Sequence, residues 1–337
     1  MQPQKEMHVG ICSQTIDPAS SSAPRLFSKT VPFTLTHRNR LFVLLFLATS
    51  AWFWQPLVEL VSLTQREEHY SHMLLIPWVS LYVFYLDRTA ILESKDWNPW
   101  LGSLLLGAGA LSYAVNKPVA WGPDHLSLTM LAFVVMCWGI FLFCFGIRCF
   151  RRVSFGLLFL LFLVPLPSLV LQAIIGFLQR SSAEATSLLF SILGIPVIRE
   201  GFVFQLSNFT VHIAEECSGI RSTLSLVLTT LVAGHLFLHS RWGRMSVVAL
   251  VIPLSILKNG FRIVGLTLLA NYVDPTYITN SLLHRAGGIP LFLLSLVVLF
   301  SLVWLLRRLE IRLGSGAAIE DARMGKLEAV QPRNQQA

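Results

Sequence analysis

Charge is what this sequence has least of. Only 13% of its 337 residues are Asp, Glu, Lys or Arg, while 54% are hydrophobic; a soluble globular domain carries roughly 25% and 45–50% respectively. The shortage excludes an ordinary water-soluble fold. It also excludes nucleic acid as a partner: the formal net charge is +8, yet Lys and Arg are scattered between apolar blocks and never interleave with aromatics in one polar domain. Cysteine is scarce as well. The five present form no CxxC pair and no Cys/His cluster at ligand spacing, so neither a structural zinc site nor any other metal is expected. No internal repeat is visible, which speaks against a transporter built from two symmetric halves. No apolar block precedes Leu41, so no cleaved signal peptide is expected and the first block acts as an anchor.

What remains is apolar sequence in long blocks. A helix needs about 20 mostly apolar residues to cross a hydrocarbon layer of roughly 30 Å. About eight segments qualify: 41–63, 71–86, 100–115, 126–147, 154–178, 219–239, 245–271 and 286–306. The third is the weakest, being short and rich in glycine. A further apolar patch at 187–198 is too short to span and is interrupted by Gly194 and Pro196, so it reads as an interfacial or re-entrant piece. The expected architecture is an all-α polytopic membrane protein of about eight transmembrane helices, with a flexible tail at 1–40, a transmembrane domain at 41–309 and a second tail at 310–337.

Orientation follows from basic residues, which are retained on the cytoplasmic side of a span. One alternating set of segments holds eighteen of the 26 Lys and Arg residues, from Lys5 to Arg40, at Arg88 and Lys95, at Arg148 to Arg152, at Arg241 and Arg244, and from Arg307 onward. The opposite set holds only Arg66, Lys117, Arg180, Arg199 and Arg285. Both termini of this multi-pass protein are therefore expected in the cytoplasm. The basic cytoplasmic edges need only anionic lipid as a partner.

The one long outer connection lies between the fifth and sixth spans. Within it, Phe202–Ile213 alternates as two short strands about a Ser207-Asn208 turn, which predicts a small β-hairpin on the outer face. The hairpin delivers the chain to Glu216-Cys217-Ser218-Gly219-Ile220-Arg221. Cys12 lies in the first tail, Cys137 and Cys144 in the fourth span and Cys149 at its cytoplasmic end, so Cys217 alone is on the outer side and has no partner for a disulfide. Two readings are open for it. It is a small buried hydrophobe at a helix start, or a nucleophile whose thiolate is favoured by unpaired N–H groups, the helix dipole and nearby arginine.

The seventh span holds Lys258, Asn259 and Arg262, which share one helical face. Each charge costs at least about 2.5 kcal/mol at a helix centre on insertion scales. Arg262 lies nine residues below Asn271, roughly 14 Å at 1.5 Å per residue, which places it in the outer half. It either snorkels or glues helices together, or it supplies a guanidinium to an oxyanion or carboxylate. His284, in the outer loop before the eighth span, is either polar surface or a group titrating near neutrality. Three consecutive spans can bring Cys217, Arg262 and His284 to one outer face. Nucleophile, cation and acid/base then make a complete acyl-transfer set.

On these residues the sequence resembles the exosortase/archaeosortase family of polytopic membrane cysteine transpeptidases. The likeness rests on Glu216 to Arg221, on Asn259-Gly260-Phe261-Arg262, and on His284 ahead of a glycine-containing span. Tyr70-Ser71-His72 leading to Pro77, and Pro165-Leu166-Pro167, add to it, so that the match covers about 70–309. The resemblance implies that Cys217 forms an acyl-enzyme with exported proteins near their C-terminal anchor, that Arg262 stabilises the oxyanion or holds the thiolate, and that His284 protonates the leaving amine and then activates an acceptor. Glu216, Arg221 and Asn259 are the supporting residues it points to. Such thiol chemistry needs no cofactor. It further implies substrates with a Pro-Glu-Pro-type motif, a hydrophobic helix and a basic tail. Two other readings stay open: a polytopic transporter with Lys258 and Arg262 on an anion pathway, and an assembly protein of exopolysaccharide export.

Overall fold

The computed structural model describes residues 37–92, 94, 96–116, 124–206, 210–214, 218–272 and 288–330, with backbone alone at 68, 90 and 313–330. The described chain is mostly helical. The first expected span is two helices, α1 (His37–Trp52) and α2 (Trp54–Arg66), which meet at 70°. Pro56 falls in the first turn of α2, where its ring would clash with the carbonyl four residues back in an unbroken helix. Phe53 stands at the corner, fully buried against Tyr113 and Phe133.

The second expected span, 71–86, is helical but not one α-helix. A 3-10 segment, Glu68–Leu75, gives way to α3 (Ile76–Leu86) with Pro77 in its first turn. Eleven residues at about 1.5 Å each cover only about half of a 30 Å layer. After the short α4 (Arg88–Leu92), α5 (Pro99–Asn116) and α6 (His125–Arg152) match the third and fourth expected segments. Two of the three glycines of α5 have a packing reason: a Cβ at Gly102 would lie 2.6 Å from Phe143, and one at Gly109 2.5 Å from Met136, while Gly107 faces open space. They let the two backbones approach as small residues do between membrane helices. Near its end α6 breaks at Gly146 (φ 72°, ψ 174°). Ser94 donates to the carbonyl of Phe145 at that break.

Next, α7 (Ser154–Phe159) and a 3-10 turn, Leu160–Leu163, precede the Pro165-Leu166-Pro167 corner and α8 (Ser168–Ile192), a bend of 91°. Because α8 runs to Ile192, the patch at 187–198 is not a separate piece; it is the end of this helix, a turn and the first strand. The connection to the next helix is a three-stranded antiparallel sheet, β1 (Ile198–Glu200), β2 (Val203–Gln205) and β3 (Thr210–His212), in that order. The expected hairpin is the β2–β3 pair, in the register Val203 to His212, Phe204 to Val211 and Gln205 to Thr210. Its turn, 207–209, lies outside the described residues. Phe204 and Ile213 are buried with Ala183 and Phe190 of α8.

Among the described residues three long helices follow: α9 (Ile220–Phe237), α10 (Arg241–Tyr272) and α11 (Gly288–Val330). α10 packs against α8, α9 and α11, and its Ile263 and Val264 join the cluster beneath the sheet. α11 continues as helix through 310–330 of the second tail. By length and composition, α6, α9, α10 and Gly288–Arg312 of α11 can each cross a membrane; the two bent pairs raise the number from 4 to 6. α5 is not among them, its apolar residues diluted by glycine, Tyr113 and Asn116.

Candidate functional site

The chain enters α9 through Ser218 and Gly219. Ser218 is buried, and Gly219 has φ +76°, a left-handed backbone that non-glycine residues adopt at a cost. A Cβ at this position would also lie 2.9 Å from Cγ and Oδ1 of Asn259. Both facts call for glycine, and together they bring the start of α9 hard against α10. The Gly219 carbonyl accepts hydrogen bonds from the Thr223 backbone (3.0 Å), Thr223 Oγ1 (2.9 Å) and Ser222 Oγ (3.0 Å). Glu216 and Cys217 lie outside the described residues, and so does His284.

The α10 residues meet this turn from two directions. Asn259, only 2% exposed, donates from Nδ2 to Ser182 Oγ on α8 at 3.0 Å. Beside it Gly260 lets α8 approach, a Cβ there being 3.1 Å from Ala185. Lys258, 7% exposed, donates from Nζ to Ser222 Oγ on α9 and stands 6.0 Å from the centre of the Phe292 ring on α11. The single face expected for Lys258, Asn259 and Arg262 is therefore divided, because adjacent positions on a helix are about 100° apart. Arg262, one turn above Lys258, is half-buried. Its Nε lies 3.9 Å from where a Cβ of Gly288 would be, so the first residue of α11 approaches the guanidinium. Asn259 and Arg262 thus sit at the junction of α8, α9, α10 and α11. Arg221 is on the first turn of α9 with its side chain exposed.

Several residues at this junction escaped the sequence reading. Ser182 and Ser222 anchor Asn259 and Lys258. Gln179 donates from Nε2 to the carbonyl of Ile213 at 2.7 Å, holding the strand exit that leads toward Cys217. A signal was available for α8: Gln179, Ser182 and Thr186, all buried, recur at intervals of three and four, a polar stripe on one face of an apolar helix.

Two of the supporting motifs also touch. Tyr70 donates through its hydroxyl to the Leu166 carbonyl at 3.4 Å. Burial, and then the carboxylates of Glu67 and Asp124, push its phenol above the usual range, which keeps the donor proton in place. Asp124 accepts from Ser168 N at 2.6 Å and from Ser168 Oγ at 3.3 Å, capping α8 just beyond the Pro165-Leu166-Pro167 corner. The 3-10 segment bearing Tyr70 packs in turn on α9.

No curated protein matches the chain, and no solved structure does. A family model described as transmembrane exosortase matches residues 62–301, a stretch that takes in both the α8–α11 junction and the contact between Tyr70 and Leu166. That is well over half of the sequence, so this multi-pass membrane protein belongs to the transmembrane exosortase family.

Proposed function

We propose that this exosortase is a membrane-embedded cysteine protease/transpeptidase that cleaves the C-terminal sorting signal of exported proteins and transfers them to an acceptor. The signal is of the Pro-Glu-Pro type, followed by a hydrophobic helix and a basic tail. The observation that carries the reading is the tight approach of Gly219 to Asn259. It supports a site in which Cys217, two residues before Gly219, faces the part of α10 that bears Arg262. The approach of Gly288 to Arg262 supports bringing in His284, four residues before Gly288.

In this reading the Cys217 thiolate attacks the scissile carbonyl and the carbonyl oxygen takes up the electron pair as an oxyanion. The Arg262 guanidinium, always charged and presenting a fork of donors, stabilises that charge. Collapse breaks the C–N bond; the departing amine takes a proton from His284 and leaves a thioester on Cys217. An acceptor nucleophile, or water, then gives its proton to His284 and displaces the thiolate. The alternation of basic residues supports cytoplasmic termini and a site on the periplasmic face of the inner membrane. The test is a Cys217→Ser variant co-expressed with an exported reporter that ends in such a signal. The variant should stay inserted while the reporter accumulates with its anchor attached; normal trimming would overturn the proposal.

A further inference from the structure

We infer that Lys258 is a positioning residue, a clamp that ties the first turn of α9 and the start of α11 to α10 and so fixes the spacing between the helix start that follows Cys217, the stretch of α10 that bears Arg262 and the helix start that follows His284. The inference rests on the cysteine-transpeptidase reading above. Lys258 does not behave as a snorkelling side chain: it is 7% exposed and its Nζ is spent inside the bundle on Ser222 Oγ. A serine hydroxyl can accept one hydrogen bond while donating another, and Ser222 does both, donating from its own hydroxyl to the Gly219 carbonyl at 3.0 Å. The order is thus Lys258 to Ser222 to Gly219, and it ends on the left-handed turn two residues after Cys217. On its other side Lys258 stands over the Phe292 ring of α11, one helical turn beyond Gly288.

Stability alone does not call for an amine here. Among the described residues no carboxylate lies within ion-pair distance of Lys258, and the charge it lies near is another cation, Arg262, one turn away on the same helix. A buried cation with a hydroxyl as its hydrogen-bond partner costs more than an apolar side chain of equal length at the same place. What the amine supplies, and methionine could not, is a directed donor reaching from α10 to the α9 turn.

The test uses the full chain in lipid nanodiscs with a peptide carrying a Pro-Glu-Pro motif, an apolar helix and a basic tail. Lys258→Met should keep or raise the melting temperature, leave KM unchanged and lower kcat by about tenfold to a hundredfold, the scale of a small misplacement of reacting groups. Ser222→Ala, which removes only a hydroxyl, should lose a similar factor, and the double variant should be no slower than Lys258→Met, since both changes cut one connection. Lys258→Arg, which retains a donor, should recover part of the rate. Full kcat in Lys258→Met, a loss that merely follows a lowered melting temperature, or losses that multiply in the double variant would each overturn the clamp. Cys217→Ser in the same assay separates the two claims. If it still cleaves, the transpeptidase reading fails; if it is inert while Lys258→Met runs at full rate, only the clamp fails.

Discussion

At the scale of single residues, the site depends on a glycine with no chemistry of its own. Gly219 satisfies a positive φ and a contact with Asn259 at once. An alanine there costs about 1–2 kcal/mol for the left-handed backbone alone, and its methyl group meets the Asn259 amide, whose Nδ2 is committed to Ser182. Gly219→Ala is expected to lower the melting temperature modestly and to abolish most processing of the reporter, because α9 must retreat from α10. Normal processing would mean that the close approach is incidental. Arg262→Lys makes a different demand. The charge survives but the planar fork does not, so kcat should fall by about a hundredfold, as when one oxyanion donor is removed, with KM little changed. A steady-state comparison of the two proteins decides it.

At the scale of elements, the turn between α9 and α10 is held from outside. Glu310, far along α11, accepts from the backbone N–H of His239 and of Ser240, each at 3.0 Å, and so caps the start of α10 with a carboxylate where the helix dipole favours one. Glu310→Ala leaves those two donors without this acceptor and should cost about 1 kcal/mol, read as a lower melting temperature in detergent with the processing rate per folded molecule preserved. Such long-range caps mark the limit of what sequence makes legible. The long helices could be read from their apolar runs, and the hairpin from its alternation. Cys217, Arg262 and His284 stand out in the sequence as candidates: a lone outer-side cysteine, a charge within an apolar run and a histidine ahead of the last span. The bends after α1 and before α8 turn on Pro56 and Pro167, but proline is tolerated within membrane helices, so sequence did not decide between a kink and a corner. β1 reads Ile198-Arg199-Glu200, one apolar residue followed by two charged ones, which shows no alternation. Ser182 and Ser222 were invisible for another reason: serine is common in apolar helices, and its role depends on which helix faces it. Lys258 was conspicuous as a charge, yet its direction, away from Asn259, appeared only once α9 and α11 were in place.

At the scale of the whole molecule, the placement of cysteines turns the topology into an experiment. Cys137, Cys144 and Cys149 form no disulfide and are buried in α6, so a membrane-impermeant maleimide should not reach them from either side while the protein is folded. Cys12 belongs to the tail whose neighbouring Lys5, Arg25 and Lys29 argue for the cytoplasm. That leaves Cys217 as the thiol a reagent added outside should find. In cells whose outer barrier has been opened but whose inner membrane is intact, labelling is expected at Cys217 alone and should disappear in Cys217→Ser. Disrupting the bilayer with mild detergent should add Cys12, and only unfolding should add the three cysteines of α6. The order of appearance carries the argument, because it separates sidedness from burial. If Cys12 reacts first and Cys217 only after the bilayer is broken, the chain is inverted and the basic residues from Arg307 onward face outward. If it reacts only on unfolding, it is a packed hydrophobe at the start of α9, and a nucleophile must be sought elsewhere.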